Sequence, residues 1–331
     1  MDINYNFLGR IKLILYLMGV EDTVKDTPSN KEEVAEKEYQ RLEETTKSAK
    51  DSAPKPSFTS RARSFGRNVA NVAKNAFDNT AGLGVAKYQN YKTAKEMKKG
   101  ADGKVVYLMH GVAQNQGSQW RLAKELQKEG YKPYHLKAKH RKPRKEIADD
   151  AFGQIDKFHN KAGIEEAVNR ADHFSGHSSG GDIGIYMAGD DRMKKYGIKS
   201  VQARAPAPYG VKPKTLGQKA LIPALASHDN LSTPAGKRNA VEMDGRKPKV
   251  PVQIYAGKND QLVRPKDAYW KHANNIYVVD HPDSTHFGTS GANKTMNKHF
   301  VKELSRKHKS RPATEGAKLE YEVQEAYQTA A

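Results

Sequence analysis

The sequence contains no cysteine, which removes disulfides, thiolate metal sites and a cysteine nucleophile from consideration. It also lacks a hydrophobic run long enough to span a bilayer. The most apolar stretch, FLGRIKLILYLMGV at 7–20, is short and interrupted by Arg10 and Lys12. A secretory leader is not expected, because the chain opens on Asp2 rather than a basic segment and shows no small-residue cleavage site. A cytoplasmic or membrane-peripheral location is therefore the expectation. There is no internal repeat, P-loop, dinucleotide-binding glycine fingerprint or His-Glu-x-x-His pair. The twelve histidines form no ligand pair at helical or hairpin spacing with a carboxylate, so neither a metal nor a cofactor is expected. Acidic residues are the last shortage: 38 Asp+Glu against 57 Lys+Arg leave a formal net charge of +19 over 331 residues. That excess suits an anionic membrane, another polyanion or simply a lysine-rich solvated surface. No nucleic-acid-binding module is recognisable, so nucleic acid is not an expected partner.

The chain that remains divides by composition. Residues 1–103 are basic and helix-prone, with a Pro-containing linker near 52–60. Leu8, Ile11, Leu15 and Met18 fall on helical spacing in 7–20. Phe65, Val69, Val72, Ala73, Ala76 and Phe77 form a second apolar face in 64–77. Both faces lie among basic residues, so contact with an anionic membrane through these helices is one expectation; docking onto the rest of the chain is the other. From Lys104 to about residue 306 short apolar runs alternate with helical patterns. The runs are 104–111, 132–138, the stretch leading into Ser178, 200–207, 250–260 and 275–281. Helices are expected at 120–128, from 146 into the 160s, after 178, near 267–273 and at 293–306. Strands alternating with helices at these lengths predict a mostly parallel sheet covered on both faces. Residues 208–249 break the alternation and read as an insertion or cap, and 307–331 as a polar tail.

Chemistry concentrates at HFSGHSSGGDIG, residues 173–184. Gly176-His177-Ser178-Ser179-Gly180 predicts a sharp turn from a buried strand into a helix, with Ser178 lifted out of the sheet. Small flanking residues, Gly176 and Gly180, let strand and helix approach. A serine hydroxyl needs a base, and the base needs an orienting partner. His286, past the strand 275–281, is the preferred base over His281, which is still at the strand end. Asp260, ending the strand 250–260, is preferred as orienting acid over Asp280 and Asp283, which sit beside the histidine rather than on another strand. Backbone N–H groups of Val112, after His110-Gly111, and of Ser179 are placed to receive an oxyanion. His177 reads as a packed neighbour of the site.

With HG at 110–111, GHSSGG at 176–181, GKND at 257–260 and STHFG at 284–288, the sequence resembles the α/β-hydrolase superfamily, particularly its lipase and esterase branch. The resemblance covers about Lys104 to Ser305. It implies the α/β-hydrolase fold, a mostly parallel sheet with helices on both faces, here carrying a basic helical N-terminal extension. It further implies Ser178 as nucleophile, His286 as general base and acid, Asp260 as the residue orienting it, and a small-molecule or lipid ester as substrate. The same machinery serves thioesterases, peptidases and acyltransferases. The other reading is a catalytically silent protein of this fold that binds membrane or another polyanion. Three features depart from the family: the polar run Ala113-Gln-Asn-Gln-Gly-Ser118; the lack of a match to a long hydrophobic lid, with 208–249 able to hold only a small cap bearing Leu221, Ile222 and Leu225; and the basic first hundred residues.

Overall fold

The computed structural model describes residues 58–210, 242–243, 245–260, 262–305 and 319–322. The 7–20 helix, most of the linker and of the 208–249 insertion, and most of the tail lie outside the described residues.

Seven parallel strands form one sheet in the order β2-β1-β3-β4-β5-β6-β7. They are β1 (Val105–Met109), β2 (Lys132–Leu136), β3 (Asp172–His177), β4 (Ile198–Arg204), β5 (Val252–Gly257), β6 (Asn275–Val279) and β7 (Leu319–Glu322). β1, β3, β5 and β6 are buried along their whole length. That is why β1, β5 and β6 are largely apolar, since a parallel sheet is covered on both faces; β3, Asp172-His-Phe-Ser-Gly-His177, is buried with polar side chains. The side-chain period of two sends alternate residues of β1 to opposite layers. Val105, Tyr107 and Met109 join a core with Ile147, Phe152, Ile155, Ile183 and Met187. Val106 and Leu108 join a second core with Leu122, Leu126, Met296 and Phe300.

The covering helices follow from the same pattern. α1 (Phe58–Lys98) precedes the sheet, α2 (Trp120–Lys128) joins β1 to β2, and α3 (Arg144–Ala162) joins β2 to β3. α4 (Ser179–Ala188) and the short α5 (Arg192–Lys195) join β3 to β4, and α6 (Lys294–Ser305) follows β6. The expected helix near 267–273 is instead a single 3₁₀ turn, Pro265–Ala268. The stretch read as a polar tail contributes β7, paired with β6.

α1 departs most from the sequence expectation. No proline interrupts residues 58–98, and they form one helix of 41 residues. Part of the apolar stripe does not face inward: Ala73 and Phe77 are exposed, Phe77 by 56%. The side chains of Phe65, Val69 and Val72 lie outside the described residues. Among the described side chains the buried positions are Asn71, Asn75, Asp78, Gly82, Ala86, Gln89, Thr93, Ala94 and Met97. A polar face can be buried because each polar group is bonded across the contact. Asn90 exchanges two hydrogen bonds with the His135 backbone (2.9 and 2.7 Å), and Thr93 Oγ1 donates to Pro133 C=O (2.8 Å). Asp78 accepts from Trp120 Nε1 (2.6 Å) and Arg121 Nε (3.0 Å). Gly82 lies against the 3₁₀ turn Gln116–Gln119, where a Cβ would stand 2.5 Å from Gly117 O.

This topology fixes where a ligand would sit. The chain leaves β1 toward β2 on one side, then crosses back to β3 on the other. The crevice at the carboxyl ends of β1 and β3 is therefore the switch point of the sheet, where ligands bind in open α/β folds. His110-Gly111 and Ser178 follow those two strand ends.

Candidate active site

Ser178 is the single residue between β3 and α4, and its backbone has φ 52° and ψ −127°. A side-chain-bearing residue there is strained, and the surroundings must hold it. Its N–H donates to Arg204 C=O (2.8 Å), and its C=O accepts from Gly181 N (2.7 Å) and Asp182 N (3.1 Å). The strand is thus tied to β4 and the helix closed in one step. Gly176 is required because a Cβ there would collide with Gly180 O, and Gly180 in turn presses on the carbonyls of Met109 and His110. Gly111 lies beside the nucleophile; a Cβ on it would be 2.9 Å from Ser178 Cβ.

The expected base and acid meet, although they come from different strand ends. His286 Nδ1 lies 2.9 Å from Asp260 Oδ2, with both residues buried. Asp260 Oδ1 accepts from the N–H groups of Leu262 (2.9 Å) and Val263 (2.8 Å), so the carboxylate cannot turn away. A carboxylate can only accept; His286 therefore carries its proton on Nδ1, and Nε2 keeps a lone pair. The rival residues are engaged elsewhere. Asp280 pairs with Lys258, and His281 Nδ1 accepts from Asp283 N (3.1 Å).

Around this pair lie buried neutral histidines. His110 Nε2 accepts from Ala138 N (3.2 Å), which leaves Nδ1–H to donate to Gly111 C=O (2.9 Å). His140 Nε2–H donates to His110 C=O (2.9 Å), so its Nδ1 accepts from the Ser179 hydroxyl (2.9 Å). Burial holds His110 down at about 4 and His140 at about 3. His177 is pushed well below the usual histidine range, chiefly by burial, and its Nε2–H donates to His286 C=O (2.8 Å). Val112 follows Gly111 in the turn after β1, and Ser179 opens α4. The first N–H groups of a helix have no acceptor within it, so the Ser179 N–H is of the kind that can receive an anion.

Three participants escaped the sequence reading. Gln114 Oε1 accepts from Gly111 N (2.8 Å) and lies 3.2 Å from His177 Nδ1. Asn71 and Asn75 of α1 reach Thr285 Oγ1 (3.3 Å) and Ser290 Oγ (2.8 Å), on either side of His286. Their one sequence signal is the repeat Asn71, Asn75, Asn79, spaced one helical turn apart. The polar run after Val112 is explained by the same contact. Gln114 Nε2 donates to Asn75 Oδ1 (3.1 Å), and Asn115 bonds Asn79 through its backbone N–H (2.9 Å) and its side chain (2.6 Å).

No protein-family profile matches the chain, and no curated protein matches it. Solved structures do. The lipase BlEst2 of Bacillus licheniformis in its propeptide form superposes with a TM-score of 0.51 at 16% identity, over 63% of this chain and 52% of that one. The chain thus spans about half the length of that lipase form. The mature form of BlEst2 gives a TM-score of 0.49 at 17% identity, over 62% of this chain and 92% of that one. Lipase B of Aspergillus fumigatus gives 0.47 at 16%, over 64% and 55%. The superposition on the propeptide form and the parallel sheet with its strand order agree on one architecture: the chain has the α/β-hydrolase fold.

Proposed function

We propose that this protein is a serine hydrolase that cleaves carboxylic esters through an acyl-enzyme. The observation that carries this reading is the bonded pair His286–Asp260 on the same sheet edge as Ser178, whose backbone is held in the elbow conformation. Ser178 Oγ attacks the ester carbonyl while His286 Nε2 takes its proton. The oxyanion is received by the N–H groups of Val112 and Ser179. Collapse expels the alkoxide, which leaves as the alcohol with the proton from His286. Water then adds to the acyl-enzyme, giving a proton to the same nitrogen; the acid departs and the proton returns to Ser178. Asp260 stays ionised, fixing the tautomer and stabilising the imidazolium. The test is labelling by a fluorophosphonate together with hydrolysis of a short p-nitrophenyl ester. The parent chain should be labelled at Ser178 and Ser178→Ala should lose both signals. A chain labelled at another serine, or not at all, would overturn the reading.

A specific observation supports a second role, attachment to an anionic membrane. The outward face of α1 carries Phe77, Tyr88 and Tyr91, exposed by 56, 64 and 52%. Ala81, Gly84, Lys95 and Lys98 continue that stripe, and Lys74, Lys87 and Lys92 flank it, all exposed. Aromatic rings beside lysines suit the boundary between lipid headgroups and acyl chains. Binding to vesicles containing phosphatidylserine, lost in Phe77→Ser/Tyr88→Ser/Tyr91→Ser, tests this reading independently of catalysis. Full-length protein that ignores such vesicles at low salt would end it.

A further inference from the structure

We propose that α1 is a positioning element of the active site, in which Asn75 sets the turn after β1 and the His286 loop at a fixed separation. This rests on the hydrolase reading of Ser178 and His286 and extends it to a helix outside the region that resembles that superfamily. Asn75 is 3% exposed and touches both loops. Its Nδ2 donates to Ser290 Oγ (2.8 Å), and its Oδ1 accepts from Gln114 Nε2 (3.1 Å) and Asn79 Nδ2 (3.3 Å).

The direction of every bond in this relay is forced. Gly111 N–H can only donate, so Gln114 must turn Oε1 to it and Nε2 to Asn75. Asn75 must then turn Oδ1 to Gln114 and Nδ2 to Ser290. The Ser290 hydroxyl spends its proton on Phe287 C=O (2.6 Å), so it meets Asn75 as an acceptor. Asn71 repeats the contact one turn earlier, on Thr285 Oγ1, which also accepts from Gly288 N (3.0 Å). From the other side His177 donates to His286 C=O (2.8 Å) and packs beside Gln114. The base and the loop bearing the Val112 N–H are therefore not spaced by the sheet alone. Neither loop can shift without breaking bonds to α1.

Catalysis is sensitive to such spacing: a misplacement of about 1 Å can cost on the order of 10²-fold. Asn75→Ala should therefore lower kcat for a small soluble ester, and the rate of fluorophosphonate labelling, by about 10- to 100-fold, with KM changed less than about twofold. Asn90→Ala is the control. It removes two bonds between the same helix and His135 of β2, a strand that supplies none of the proposed catalytic groups, and should cost thermal stability while leaving kcat near the parent value. A merely structural α1 predicts that both variants lose stability and neither loses kcat. An Asn75→Ala protein with kcat and labelling within about twofold of the parent, assayed well below its Tm, would overturn the proposal. Should that variant not fold, Ser290→Ala removes the bond to Asn75 from the other side, together with the Ser290–Phe287 bond; kcat and labelling within about twofold of the parent in that variant would equally overturn the proposal. The parent chain separates the two readings. If it is not labelled at Ser178, the hydrolase reading falls and this one with it; if it is labelled and Asn75→Ala matches it, only the positioning role falls.

Discussion

At the residue scale, the arrangement makes a sharp statement about Asp260. Its Oδ1 is held by two backbone N–H donors, and those bonds persist if the residue becomes asparagine. The new Nδ2 would then face His286 Nδ1 as a donor and push the imidazole proton to Nε2, the nitrogen that must accept from Ser178. Asp260→Asn should leave Tm close to the parent and lower kcat by about 10³- to 10⁴-fold. A variant retaining more than about a tenth of the parent kcat would remove Asp260 from the mechanism. The placing of Ser178, Asp260 and His286 at one sheet edge was legible in the sequence because each follows a strand of the alternating pattern, so its position follows from chain order. Gln114, Asn71 and Asn75 were not, because what they do depends on partners 39 to 215 residues away. The Ser179–His140 bond was hidden for the same reason.

At the element scale, six of the seven strands were read from the sequence and β7 was not, while the docking of α1 on the rest of the chain was one of two expectations and its buried face was not foreseen. The strands declare themselves because both faces are buried, and burial writes itself into composition. α1 inverts the usual rule: its outward side keeps Phe77, Tyr88 and Tyr91, while its inward side keeps asparagine, aspartate and glycine. Among the described side chains of α1, apolar character alone therefore does not mark the buried face, which also holds Ala86, Ala94 and Met97. A pair of glycines checks the register. Glycine in an exposed helix interior costs about 0.5–1 kcal/mol relative to alanine. Gly84 is exposed with open space around it, so Gly84→Ala should raise stability by up to about that amount. Gly82 has Gly117 O and Trp120 Cδ1 each 2.5 Å from where its Cβ would be. Gly82→Ala should thus lower Tm and, by lifting the helix, slow ester hydrolysis. Equal Tm changes in the two variants would mean that α1 sits differently.

At the scale of the whole molecule, buried histidines govern the response to acid. Burial lowers His110, His159 and His173 to about 4 and His135 and His140 to about 3, and drives His177 well down. An unfolded histidine titrates near about 6.5, so below that pH the unfolded chain takes up protons that the folded chain refuses. The stability these six groups contribute is complete above about pH 6.5 and is lost progressively as pH falls toward 4. Asp182 has the opposite sign: burial raises it to about 6, so its contribution weakens the fold as pH rises toward that value. Burial raises Asp78 and Asp172 as well, but three carboxyls do not offset six imidazoles. Calorimetry should show Tm falling between pH 7.5 and 5, with several protons taken up on unfolding; a flat Tm over that range would contradict the buried neutral histidines. Activity lost on acidification must be separated from this unfolding by following circular dichroism in the same samples. The contacts of α1 also bear on the order in which the molecule can be made. Asn71 and Asn75 wait for partners 214 and 215 positions later in the chain. At about 5–20 residues per second on the ribosome, that delay is roughly 10–40 s. During it the helix has no loop to hold, and a nascent chain that already displays Ser178 has neither Asp260 nor His286. On the hydrolase reading proposed above, the chain would thus be silent for most of its own synthesis, and competence would arrive late, when the ends of the region that carries Ser178 and His286 meet.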